Sequence, residues 1–205
     1  GTTTSPTITT SYTPEINTTL YAVYSKSDYI DWRRIESTGD LSIWDTYIIT
    51  SYDYGRAMSA TQGTSNRDHT EITKSADKKT IASVPNTVGQ FSIIQGGSNW
   101  NIYDLNAAEK GETEVYLIAS GGSKSNKLTL TDDDTNGNAE WSISITEGAA
   151  TVKAQGDATK NWMLENDGTF TCYDTKKSSY KLLSFYKYVH ESATTYTTQP
   201  DMTVY

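Results

Sequence analysis

The chain has 205 residues, room for one core-bearing domain and a little chain to spare. Its formal net charge of −8 excludes nucleic acid as a partner, because a phosphate backbone needs a basic footprint. No stretch approaches the ~20 apolar residues of a membrane span, and the single cysteine, Cys172, excludes an intrachain disulfide. The acidity otherwise reads as solubility. Apolar residues make up only 35%, but there are 15 Tyr and 5 Trp. A Thr-, Ser- and Tyr-rich composition without a sustained 3.6-residue apolar period favours strands, so an all-β protein is expected.

In chain order, residues 1–15 are Thr/Ser/Pro-rich and read as an extended linker or edge strand. "TTLYAVYS" alternates cleanly and predicts a strand near residues 18–25. No signal peptide is visible, and the chain opens on Gly1 in the manner of a piece cut from a longer protein. "DWRRI" offers either a basic recognition spot or a solvated linker face bearing Asp31, Arg33 and Arg34; the second is expected. From about Tyr29 to Tyr188 the strand–turn rhythm is that of a compact domain. Residues 191–205 return to the Thr/Tyr/Pro style of a tail. The expected division is therefore 1–28, 29–190 and 191–205.

The middle region repeats weakly. The first segment carries "TYIIT", "GRAMSA", "HTEIT" and "QFSII", the second "WNIYD", "VYLIAS", "NKLTL" and "EWSISI", the third "ATVKA", "NWMLEN", "TFTCY" and "LLSFYKY". Each reads as four strands separated by Gly, Asn, Asp and Ser turns. Ile48, Ile102 and Val152 are spaced by 54 and 50 positions, and Phe91, Trp141 and Phe185 by 50 and 44. A unit of this size cannot bury its apolar face alone, but three can. The predicted fold is β-trefoil-like, with three repeats of about four strands and an extra N-terminal strand segment. A β-sandwich or an OB-like barrel accommodates the same strand count. Phe91, Trp141 and Phe185 are the expected equivalent core residues, each burying on the order of 150–250 Å².

Over residues 40–188 the pattern resembles the trefoil proteins, the superfamily of ricin-type lectins, fibroblast growth factors and cytokines. The Q-x-W signature of the lectins is missing, so no lectin site is carried over. Thr19, Leu20, Tyr21, Ala22, Val23 and Tyr24 resemble the closing strand of a Listeria–Bacteroides repeat, as if a neighbour's last strand preceded the domain. "GDLSIWDTYIIT", "AEWSISI" and "GTFTCYDTKK" with "LLSFYKY" resemble a module of tandem-domain surface proteins of gut bacteria, Bacteroides and Firmicutes among them. That resemblance implies an extracellular or cell-surface location and an adhesive or glycan-handling role. A secreted eukaryotic domain of this type more often carries paired cysteines; a bacterial one need not.

Little points to catalysis. His69 and His190 are the only histidines, and no G-x-S-x-G, H-E-x-x-H, phosphate loop or Cys/His cluster is present. "SADK" fits S-x-x-K but lacks a helix and partner motifs, and Cys172 lies in an alternating strand as a buried structural thiol. The protein is expected not to be an enzyme. "TDDDTNGNAEW" places Asp132, Asp134, Asn136 and Gly137 in the first half of a calcium loop, but the twelfth position is Ile143 where a bidentate Glu is required. An acidic β-turn explains the same residues. Apart from calcium there, no cofactor is expected.

Carbohydrate binding asks for an aromatic platform beside planar hydrogen-bonding groups. Trp100 with Asn101, Asp104 and Asn106 supplies one such set, and Trp162 with Asn161, Asn166 and Asp167 a second at a similar repeat position. Both tryptophans equally suit core or rim packing. The expected function is a non-catalytic surface module, monomeric, binding glycan or a host-surface protein. A structural spacer in a long surface protein is the alternative, and a hydrolase needing a carboxylate pair or a His69-centred pair is a third.

Overall fold

The computed structural model describes residues 29–96, 98–175 and 179–191. The Listeria–Bacteroides-like stretch within residues 1–28 and the tail at 192–205 lie outside the described residues. The fold is that of the unit Ile30–Val189.

The protein is all-β, built on one large antiparallel sheet. The strands are β1 (Tyr29–Arg34), β2 (Thr46–Ser51), β3 (Arg56–Met58), β4 (His69–Glu71), β5 (Thr80–Ile81), β6 (Phe91–Gly96) and β7 (Asn99–Asp104). After a short helix α1 (Leu105–Glu109) come β8 (Tyr116–Ile118), β9 (Thr129–Thr131), β10 (Glu140–Thr146), β11 (Ala149–Ala154), β12 (Trp162–Asn166), β13 (Thr169–Tyr173) and β14 (Leu183–Glu191). Strands thus overlap each of the twelve segments predicted between residues 46 and 188. In β10, Trp141, Ile143 and Ile145 are buried while Ser142, Ser144 and Thr146 are exposed, a period of two that only a half-buried strand satisfies.

The pairings close on themselves. β2 pairs with β6, β6 with β7, β7 with β10, β10 with β11, β11 with β14, and β14 with β2. β3 and β4 extend from β2, β8 and β9 from β7, and β12 and β13 from β11. Tight turns make the close pairings. Glu147 and Gly148, with φ of +50° and +78°, join β10 to β11, and Asp167 and Gly168, at +49° and +82°, join β12 to β13. At Gly148 a Cβ would run into the guanidinium of Arg34, so glycine is needed there for space as well as for backbone.

Side chains from the six ring strands fill its interior. Phe91 on β6, Trp141 on β10 and Phe185 on β14 are all fully buried in one cluster, with Ile93, Ile102, Ile145 and Val152. The Trp141 indole N–H finds its partner in the Leu117 carbonyl at 2.9 Å. Ile48 does not join them. It is buried in a second cluster with Trp32, Ala57, Ile72, Ile81, Val88 and Tyr186, while its neighbours Tyr47 and Ile49 face the main core. The expected equivalence of Ile48 with Ile102 and Val152 is thus corrected by one residue, enough to reverse the face of a strand.

The second cluster exists because β1 and β5 cover the outer surface of β2 and β14. β1 lies beside β14 and pairs with β5 through Trp32 opposite Ile81. This corrects the reading of "DWRRI" as a solvated linker face: Asp31 and Trp32 are buried, and only 9% of the Arg34 side chain is exposed. Arg34 forks onto the Glu36 carboxylate at 3.1–3.2 Å. β2 is buried on both faces, with Tyr47, Ile48 and Ile49 apolar in succession and Thr50 and Ser51 buried behind them.

A fully buried charged pair lies within this framework. Arg67, in the loop between β3 and β4, is fully buried, and its guanidinium donates to the Asp104 carboxylate, to Gln62 Oε1 (2.9 Å) and to the Ser59 carbonyl (3.0 Å). Burial pulls the Arg67 pKa down, and Asp104 opposes the shift. Asp104→Ala should leave the guanidinium buried without its counter-ion and cost about 3–5 kcal/mol of unfolding free energy. The apolar double substitution Arg67→Met/Asp104→Leu should recover most of that loss. Urea denaturation of the two variants beside the parent protein checks both expectations.

Candidate ligand-binding cleft

The first predicted set lies along β7 and the start of α1, with its polar atoms turned inward. Trp100 is half-buried and packs against the main core. Asn101 donates its amide to the carbonyls of Asp134 (2.9 Å) and Ala139 (3.1 Å). Asp104 caps α1, its Oδ1 accepting from the backbone N–H of Asn106 (2.9 Å) and Ala107 (3.0 Å), and its other oxygen meets Arg67. Asn106 Oδ1 accepts from the Gln90 N–H at 2.7 Å. These residues come together as staples between strands.

The second set does not occupy the corresponding strand. Trp100 sits on β7, the strand that opens its segment, whereas Trp162 sits on β12, the second strand of its own. Trp162 is half-buried, with the Lys153 ammonium 5.1 Å from its ring centroid. Asn166 and Asp167 lie at the far end of β12, at the turn into β13. The structure therefore separates the tryptophan from two of its predicted partners.

The acidic loop folds onto its own backbone. Asp133 Oδ1 accepts from the Thr135 N–H (3.0 Å) and hydroxyl (2.7 Å), and Asn136 Oδ1 accepts from the Asn138 N–H (3.0 Å). The Thr135 hydroxyl and N–H hold the Asp133 carboxyl below its usual range. Asp132, Asp134 and Asn136 thus lie in a hydrogen-bonded turn. Among the described residues no three His, Cys, Asp or Glu side chains gather into a group that could hold a metal ion. Cys172 is fully buried in β13, and burial pushes its thiol far up, away from the reactive thiolate.

Asn166 and Asp167 instead meet an aromatic ring from another part of the chain. β2 ends at Ser51, and Tyr52–Gly55 reverse the chain into β3. Tyr54, in that reversal, is 46% exposed. It lines a hollow of about 300 Å³ with Arg56, Asn166, Asp167, Ser179 and Lys181, at the lower end of the size range of ligand pockets. The Arg56 guanidinium and the Lys181 ammonium stand 5.1 and 5.5 Å from the ring centroid.

The buried carboxylate of Glu165 fixes the walls of this cleft. It accepts from the Ser51 hydroxyl (2.9 Å), from Arg56 Nη1 (3.1 Å) and from the Gly168 N–H (2.6 Å). One side chain thereby ties the end of β2, the start of β3 and the β12–β13 turn. The Glu165 backbone exchanges two hydrogen bonds with Lys181 (2.7 and 3.1 Å), which places the fourth wall. Tyr54 carries a signal in the sequence: "SYDYG" puts an aromatic residue among turn formers, past the point where strand alternation would bury it. Ile43 and Trp44 are also exposed, on the turn into β2, and a larger hollow is lined by Glu71, Ile72, Thr73, Ala82, Ser83 and Pro85. The Tyr54 cleft combines what those two sites divide, an exposed ring and convergent polar groups.

No protein-family model and no curated protein matches the chain. Among solved structures, it is similar to the crystal structure of the lysenin pore at 13% identity and a TM-score of 0.48, over 77% of this chain and 49% of that one. The match spans about half the length of the lysenin chain.

The loop that carries Tyr54 is braced by two further cations. Lys74 donates to the Ser51 carbonyl and lies 5.4 Å from the Tyr186 ring, and Lys78 donates to the Asp53 carbonyl at 3.3 Å. Burial, followed by the charges of Lys78 and Arg34, lowers the Lys74 pKa to about 8. In the unfolded chain it returns to about 10.4, so between pH 8 and 10 the unfolded state binds more protons. Lys74 should therefore make stability rise with pH across that window. Tyr47 and Tyr186, raised by burial, act in the opposite sense above about pH 10. Urea midpoints measured at pH 7, 8, 9 and 10 should show the rise in the parent protein and its absence in Lys74→Met.

Proposed function

We propose that this domain is a β-trefoil and that it serves as a non-catalytic glycan-binding module of a bacterial surface protein. The fold reading is supported by the closed six-strand ring and by the strand pairs that extend from β2, β7 and β11. The matching burial of Phe91, Trp141 and Phe185 supports it as well. Location at the cell surface rests on the resemblance of "GDLSIWDTYIIT", "AEWSISI" and "GTFTCYDTKK" to modules of gut bacteria.

The observation that carries the binding reading is the Tyr54 cleft. A sugar ring offers a flat C–H face to Tyr54, and its hydroxyls meet the Asn166 amide, the Asp167 carboxylate and the Ser179 hydroxyl. Because Glu165 holds the walls, binding loses little freedom at the site. The spacer reading draws support from the half-buried Trp100 and Trp162. A concave polar pocket with an exposed ring is what a spacer has no need of.

A glycan-array screen of the purified protein, followed by titration of the strongest ligand, tests the proposal. Tyr54→Ala and Asn166→Ala should each weaken binding at least tenfold, equivalent to about 1.4 kcal/mol or more. Trp162→Ala should leave affinity within about twofold. Thermal unfolding should barely move for Tyr54→Ala, since the ring is a surface group. A blank array, or binding indifferent to Tyr54→Ala, overturns the reading and favours the spacer.

A further inference from the structure

Building on the glycan reading, we infer that the ligand of the Tyr54 cleft is an acidic sugar, whose carboxylate is taken by Lys181 while its ring lies on Tyr54. The formal net charge of the chain is −8, yet the cleft is lined by two cations, Arg56 and Lys181, and one carboxylate, Asp167. Both cations lie over the Tyr54 ring, 5.1 and 5.5 Å from its centroid, so a ligand that settles on the ring displaces or meets them.

The two cations are held differently, which assigns their roles. Arg56 is committed to the framework: its Nη1 is 3.1 Å from the fully buried Glu165 carboxylate, and its Nε is 3.9 Å from Glu71. Lys181 lies over the Tyr54 ring and faces a loose carboxylate, Asp53, at 3.5 Å; the two side chains are 26% and 45% exposed. An ion pair that open to water contributes about 0–1 kcal/mol, so a ligand carboxylate can replace Asp53 at little cost. The Lys181 main chain is meanwhile clamped to Glu165, so the ammonium works from a fixed base. A neutral sugar would leave the Lys181–Asp53 pair unused and gain only stacking and hydroxyl contacts.

The test titrates the protein with uronic-acid and sialylated oligosaccharides and with their carboxyl-reduced counterparts. The acidic form of the bound glycan should be at least tenfold tighter than its reduced form, and the preference should shrink as salt rises. Lys181→Gln should abolish the preference, so that the acidic and reduced forms bind with affinities within about twofold of each other. Asp53→Asn, which removes the competing carboxylate, should strengthen binding of the acidic form a few-fold. Circular dichroism melts confirm that each variant is folded. Equal affinity for the acidic and reduced forms, with Tyr54→Ala still abolishing both, overturns the acidic-sugar assignment and leaves the glycan reading standing. Binding of neither form, with the array blank, overturns both together.

Discussion

The buried pair of Arg67 and Asp104 is the contact on which the arrangement of strands depends. Arg67 lies in the β3–β4 loop, and Asp104 ends β7 and caps α1. The Arg67 backbone also exchanges hydrogen bonds with Phe170 on β13 at 3.1 and 2.9 Å. Its partner Gln62 reaches the Leu128 carbonyl ahead of β9 at 2.9 Å. One loop therefore touches the strand pairs that extend from β7 and from β11, through a guanidinium that burial would expel if it were unpaired. A buried charge of this kind is a poor source of net stability but a strong constraint on register, since every displaced arrangement leaves it unsatisfied. Phe91, whose ring lies 5.4 Å from the guanidinium carbon, links the pair to the apolar core.

Glu165 plays the corresponding part at the cleft. Asp104 and Glu165 are both fully buried carboxylates that accept from an arginine and from a backbone N–H, and Glu165 also accepts from the Ser51 hydroxyl. They differ in what lies beyond. The Asp104 network borders a small hollow of about 140 Å³ lined by Gln62, Arg67 and Lys110, whereas Arg56 carries the Glu165 network to a larger one of about 300 Å³ with an exposed ring. The first fixes strands relative to one another, and the second transmits that fixity to side chains a ligand can touch.

Much of the framework was legible because strand alternation and turn residues are local signals. The Phe91, Trp141 and Phe185 spacing found the layer of large core residues without any knowledge of pairing. Ile48 was misaligned because β2 is apolar on both faces, which removes the alternation that marks a register. β1 and β5 were not read as a covering layer. β5 has two residues and its partner lies some fifty positions earlier, so its existence depends on a long-range pairing with no local signature. The cleft was legible in halves. Asn166 and Asp167 stood out as polar residues at a turn, but Tyr54 reaches them only through the fold. Asp104 and Asn101 drew notice for the same chemistry that made them staples: a polar side chain beside an aromatic one looks alike in sequence whether it faces water or a buried donor.

The separation between filled core and open cleft explains where recognition has room to occur. The ring of strands is packed by its own side chains, Trp141 among them. The Tyr54 cleft lies outside that packing, at the reversals between strands. A lone reversal is mobile and poor at holding a ligand group in place. Here the Tyr52–Gly55 reversal is anchored below by Glu165 and alongside by Lys74 and Lys78, while the β12–β13 turn is pinned by the same Glu165. Two loops far apart in sequence thus become one rigid surface. Its chemistry can change by substituting Tyr54, Asn166 or Lys181, whose side chains face the hollow, while the carboxylates that hold the walls stay buried behind it.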